Sequence, residues 1–125
     1  MSNALNPNDM TATERLEEIA AILQSVKTIA IVGVSNNPVR PSWFVMKYLQ
    51  EKGFRIIPVN PGLAGQELLG EKIYSSLAEI PEKVDMVDIF RNSEAAGEIV
   101  DEAIRLKDKL GTHVVWMQLT VINEE

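Results

Sequence analysis

The hydrophobic pattern of this chain switches between two periods. A β-branched apolar run, Ile29-Ala30-Ile31-Val32, breaks at Gly33. A polar loop follows, and Pro41 then opens an amphipathic segment in which Phe44, Val45, Tyr48 and Leu49 recur at helical spacing up to Gly53. Pro41 suits a first helical position because it has no N–H to leave unsatisfied, and a glycine just past the last periodic residue suits a helix end. Phe54 to Val59 is again short, apolar and β-branched, and Asn60-Pro61-Gly62 closes it. Strand, helix, strand in about thirty residues predicts a βαβ unit with parallel strands.

The same two rhythms organise the rest. Met1 to Met10 has no periodicity and reads as a mobile tail, so the expected domain is 11–125. Thr11 to Glu14 matches a capping box, and Leu16, Ile19, Ala20, Leu23 and Val26 behind it predict a helix with one core-facing stripe. Pro61 to Ile80 is irregular, with an extended piece expected near Lys72–Tyr74 and a second capping box at Ser76–Glu79 for a short helix ending at Pro81. Val84 to Phe90 predicts a third strand, Glu94 to Leu110 a helix closed by Gly111, and Val114 to Met117 a fourth strand. Asn123-Glu124-Glu125 resembles the first turn of another helix. Alternating strands and helices predict a doubly wound α/β fold, a mainly parallel sheet with helices on both faces.

Composition narrows the chemistry. A chain of 125 residues supports one core. A net charge of −6 argues against general binding to nucleic acid or anionic membranes, so any basic residues at a site are local exceptions. Without cysteine there is no disulfide, thiolate metal site or thiol nucleophile, and one histidine, His113, excludes His-rich metal chemistry. Asp85 and Asp88 lie three apart on a strand, face opposite ways and cannot form a catalytic dyad. Trp43 and Trp116 read as packing residues. No apolar run reaches membrane-spanning length and no signal-peptide pattern is present, which makes the cytoplasm the expected setting.

Open α/β sheets bind ligands outside the carboxyl ends of their strands. Here those ends are Gly33 to Asn36, Asn60-Pro61, Phe90-Arg91 and Met117-Gln118. Gly33 permits close approach to the backbone, and the amides of the helix opened by Pro41 face an anion such as a pyrophosphate. A single strand-end arginine is ordinarily a surface ion-pair partner; two, Arg40 and Arg91, at the same edge of an acidic protein point to an anionic ligand. A nicotinamide dinucleotide fits poorly. The glycine fingerprint would need glycine where Ser35 and Pro38 stand, and Asn60-Pro61 replaces the acid that meets the ribose hydroxyl. A ligand with extra phosphate near its ribose fits better, and coenzyme A and NADP both qualify.

The segments IAIVGVSNNPVRPSWFVMKYL, IIPVNPGLAGQELLGEKIYSSLAEIP, VDMVDIFRNSEA and VVWMQLTVINEE resemble the small CoA-binding proteins of Rossmann-like fold. They are similar also to the CoA-binding domain of succinyl-CoA ligase alpha subunits. The resemblance implies that Gly33, Val34, Ser35 and Arg40 line the phosphate and adenosine end of the ligand. It implies that Asn60, Pro61, Phe90, Arg91 and Gln118 complete the crevice. The chain departs from the family pattern at Thr120, where glycine usually follows W-x-Q-L, and the family's C-terminal helix and strand have no counterpart in the sequence.

The expected function is therefore non-catalytic binding of coenzyme A or acyl-CoA. The alternatives are an NADP-dependent oxidoreductase or an interaction module that has lost its ligand. A self-contained CoA–acid ligase resembling the succinyl enzyme would need a phosphohistidine domain, for which 125 residues leave no room. A fourth strand left uncovered by a following helix leads us to expect self-association or marginal stability.

Overall fold

A computed structural model describes residues 21, 24–91 and 93–117. The sheet begins with β1 (Thr28–Val32), followed by α1 (Pro41–Glu51) and β2 (Arg55–Val59). A small hairpin of β3 (Glu67–Leu68) and β4 (Glu71–Lys72) comes next, then β5 (Met86–Ile89), α2 (Ser93–Arg105), α3 (Lys107–Leu110) and β6 (Val114–Met117). The main sheet has the order β2-β1-β5-β6 and is parallel throughout.

Alternation along the strands sorts the core into two layers. Ile29, Ile31, Ile56 and Met86 pack with Met46 and Leu49 of α1. Ala30, Val32, Ile57, Val59, Val87 and Ile89 pack with Ala96 and Ala103 of α2 and Leu110 of α3. The central strands are apolar on both sides because both sides are covered, as a parallel sheet requires. The fold is thus doubly wound and Rossmann-like, with helices on both faces as expected. Trp43 and Trp116 pack against the α1-side layer. Asp88, 3% exposed, sits on that face, in register with Ile31 and Trp116. Asp85 lies outside β5, and its Oδ2 accepts from the Lys27 and Thr28 amides at 2.9 and 3.0 Å.

Several expected boundaries shift for local reasons. The helix expected over 94–110 is interrupted at Leu106, whose backbone adopts φ −99° and ψ 4°, although Leu110 N–H still donates to Leu106 O at 2.9 Å. The extended piece expected near Lys72–Tyr74 is the return arm of the hairpin, after which Tyr74 bridges Val59. Its two-residue turn, Leu69-Gly70, needs positive φ at both positions, and Leu69 adopts φ 51°. The second capping box forms differently: Ser76 makes no side-chain cap bond, Ser75 N–H donates to Glu79 Oε1 at 3.3 Å, and the helix is one 3-10 turn, Leu77–Glu79. The expected tail, first capping box and final helical turn lie outside the described residues. Val26, at the end of the expected first helix stripe, is buried in the core.

Among the described residues no helix is long and apolar enough to cross a membrane, and no group of acidic or histidine side chains could hold a metal ion.

Candidate functional site at the carboxyl edge of the sheet

β1 is followed through α1 by β2 on one side, while β5, on its other side, leads through α2 to β6. The loops after β1 and β5 therefore leave the sheet in opposite directions, and a crevice opens between them. Gly33 stands at its floor. Its φ is 86°, and a Cβ there would collide with the Phe90 carbonyl oxygen and lie 2.7 Å from Arg91 Cδ. The glycine is thus demanded by the protein's own backbone: the ends of β1 and β5 close together, and the Arg91 side chain crosses directly over Gly33. Gly33 N–H donates to Val59 O at 2.8 Å, tying the third strand end to the same point.

Beyond Gly33 the loop is braced from within. Val34 points its side chain into the core and is fully buried. Ser35 N–H donates to Ser42 Oγ at 2.9 Å, Asn37 N–H to Ser35 Oγ at 3.0 Å, and Val39 N–H to Asn37 Oδ1 at 3.1 Å. Arg40 is the N-cap residue of α1 and donates its N–H to Asn37 O at 2.9 Å. Ser42 is buried and was not singled out from the sequence. The available signal was a serine one position after the helix-opening proline, where a polar residue is otherwise unremarked. Pro41 stands at the start of α1, and Arg40 makes no side-chain cap bond, so the first turn of the helix begins beside this loop.

On the β2 side, Asn60 donates from Nδ2 to Val34 O at 2.8 Å and accepts from Gly62 N–H at Oδ1, also at 2.8 Å. Pro61 is exposed and begins a 3-10 turn, Pro61–Leu63. On the β5 side, Phe90 is buried with its ring in the core and contributes its carbonyl, and Arg91 is half-buried. The structure thus draws Gly33, Val34, Asn60, Phe90 and Arg91 into direct contact, with Ser35 joined through Ser42 and Arg40 through Asn37. These contacts do not link the two arginines to each other. Gln118 lies outside the described residues.

The segments on the β1 and β2 side of this edge are poor in acid although the chain as a whole is acidic. No acidic residue occurs from Ile19 to Gln50 or from Lys52 to Gln66, despite the net charge of −6. The first turn of α1 carries no carboxylate to neutralise its positive end. A backbone-lined crevice beside a helix start, with the Arg91 side chain across Gly33, has the chemistry to hold a phosphate or pyrophosphate. A separate cavity of about 410 Å³ lies at the amino edge, between Ile80, Lys83, Lys109 and Leu110. Its ammonium groups are engaged with carbonyls, Lys83 with Lys109 O at 2.8 Å and Lys109 with Ala78 O at 3.3 Å.

A family model described as a CoA binding domain matches residues 27–125. Over 108 residues the chain is 43% identical to an uncharacterized protein, YneT, of Bacillus subtilis (strain 168), spanning 86% of this chain and 76% of that one. Over 80 residues it is 34% identical to the alpha subunit of ADP-forming acetate–CoA ligase I of Pyrococcus furiosus, spanning 61% of this chain but 17% of the subunit. The solved structure of a hypothetical protein from Pyrococcus horikoshii OT3 matches with a TM-score of 0.74 at 40% identity, covering 93% of this chain and 75% of that one.

Proposed function

Because this chain belongs to the CoA-binding domain family, we propose that its switch-point crevice binds coenzyme A or an acyl-CoA and does not transform it. The observation that carries this reading is the acid-free loop 33–40, with Arg91 crossing Gly33 and the α1 amides beside it. The pyrophosphate fits against those amides, and a guanidinium supplies charge-assisted hydrogen bonds to phosphate oxygens. The end of β2 offers no carboxylate to a ribose diol, which favours a ligand phosphorylated on its ribose.

The match spans 17% of the ligase subunit, so the activity in that protein's name does not transfer with it. The proposal that no covalent chemistry occurs rests on a crevice built from backbone, amide, hydroxyl and guanidinium groups, without a cysteine anywhere in the chain. Turnover of an acyl-CoA or a reduced nicotinamide, in proportion to purified protein, would remove it. The proposal includes self-association along β6, where Val115 and Met117 are 39% and 41% exposed. Sedimentation giving one monomer mass at all concentrations would remove that part.

The test of the ligand is a thermal shift with CoA, NADP, NAD and ATP. A ligand of the native state raises the melting temperature by mass action, and CoA is expected to give the largest rise. A shift with NADP alone favours the oxidoreductase reading, and no shift with any of the four favours an interaction module.

A further inference from the structure

We infer that Asn60 positions the phosphate-facing loop rather than contacting the ligand, working as a brace between the ends of β1 and β2. The inference rests on the CoA reading only for what the loop holds; the brace itself stands on the geometry. Each of the four polar atoms of Asn60 has a protein partner. Nδ2 donates to Val34 O at 2.8 Å and Oδ1 accepts from Gly62 N–H at 2.8 Å. Its backbone N–H donates to Tyr74 O at 2.9 Å, and its carbonyl accepts from Leu63 N–H at 3.1 Å. The orientation of the amide follows from its neighbours, because the Val34 carbonyl can only accept and the Gly62 amide can only donate.

The Val34 carbonyl is the peptide group immediately before Ser35, whose N–H is held by the buried Ser42 hydroxyl. Asn60 and Ser42 therefore fix that one peptide plane from its two ends. The loop is pinned to β2 by one and to α1 by the other. Restraining this peptide holds the adjoining backbone in one conformation before a ligand arrives, which lowers the ordering cost of binding.

The test uses the full chain with Asn60→Ala and Asn60→Asp. In the ligand-free protein, amide hydrogen exchange over residues 34–37 should be faster in both variants at pH 8. CoA and dephospho-CoA should both bind about three- to tenfold more weakly, by the same factor, as expected for one lost hydrogen bond. In Asn60→Asp a protonated carboxyl regains a donor toward Val34 O. Its loop exchange, compared with wild type at the same pH, should therefore recover as pH falls below about 4. Asn60→Asp retains the acceptor for Gly62 and serves if Asn60→Ala does not fold. Loop exchange like wild type in the folded variants would overturn the brace. Unequal losses for CoA and dephospho-CoA would overturn the positioning role in favour of direct contact. If wild type binds no nucleotide while the exchange still responds, the brace stands and the CoA reading fails.

Discussion

Replacing one hydrogen of Gly33 by a methyl group would drive a carbon into the Phe90 carbonyl and the Arg91 side chain, in a backbone conformation with φ 86°. Conformational strain and overpacking together cost about 2–4 kcal/mol, so Gly33→Ala should lower the melting temperature clearly and weaken CoA binding with it. Arg91→Ala separates the two effects. A lost charge-assisted bond should weaken CoA binding by roughly tenfold to a hundredfold with little change in melting temperature, because a half-buried strand-end arginine contributes few core contacts. Arg105, exposed at the end of α2, is the neutral control, and titration calorimetry on both variants checks the contrast. At the opposite edge, burial would raise the pKa of Asp85, but the Lys27 and Thr28 amides, with the charges of His113 and Lys27, outweigh it and hold the carboxyl below its ordinary value. A depressed carboxylate contributes stability that is complete above the unfolded value and is lost as pH falls through the folded one. Asp85→Asn should therefore flatten the acid limb of the stability curve below about pH 4, read by urea denaturation from pH 3 to 6.

At the scale of elements, one arginine fastens three segments. Arg55, opening β2, pairs with Glu71 of β4 at 2.7 Å and with Glu82, ahead of β5, at 2.9 Å. Its hydrogen bonds with Glu82 and Glu71 raise its own pKa, and Arg55 in turn lowers that of Glu82. The Arg55 side chain is 45% exposed, so solvent screening limits the clasp to about 1 kcal/mol or less. Arg55→Gln should cost that much in 20 mM salt and almost nothing in 1 M salt; equal losses at both would show that packing, not charge, is involved. Elements with a strong period were legible in advance. β1 is a mostly β-branched run stopped by glycine, α1 begins at its proline, and β6 spans Val114–Met117 as expected. The hairpin was not, because strands of two residues carry no period, and Leu69 enters its positive-φ turn without being a turn-forming residue. Packing of Leu69 on the α1-side core and a bond from Gln50 Nε2 to Leu69 O at 3.2 Å hold it there, and both are tertiary effects.

For the molecule as a whole, the parallel doubly wound order follows from alternation of periods, so the carboxyl edge could be named as the candidate site before any coordinates. What lines that edge was less legible. Gly33 and Arg91 were both expected in the crevice, but that the Arg91 side chain packs on Gly33 is a contact between residues 58 positions apart. Asn60 offers both a donor and an acceptor, and only its neighbours decide that both turn inward. Val34 and Phe90 contribute carbonyls while their side chains fill the core, a division that residue type does not announce.

The contact between Gly33 and Arg91 also sets an order of events during synthesis. The two residues are 58 positions apart, and β1 is flanked on one side by a strand made after it and on the other by a strand made later still. At about 5–20 residues per second, roughly 3–12 s pass between the making of Gly33 and of Arg91. Until β5 has been made, the nascent chain has its glycine loop but neither the carbonyl nor the guanidinium that closes over it. A ribosome stalled before residue 86 should therefore carry a chain blind to coenzyme A, with recognition arriving only when the third parallel strand docks.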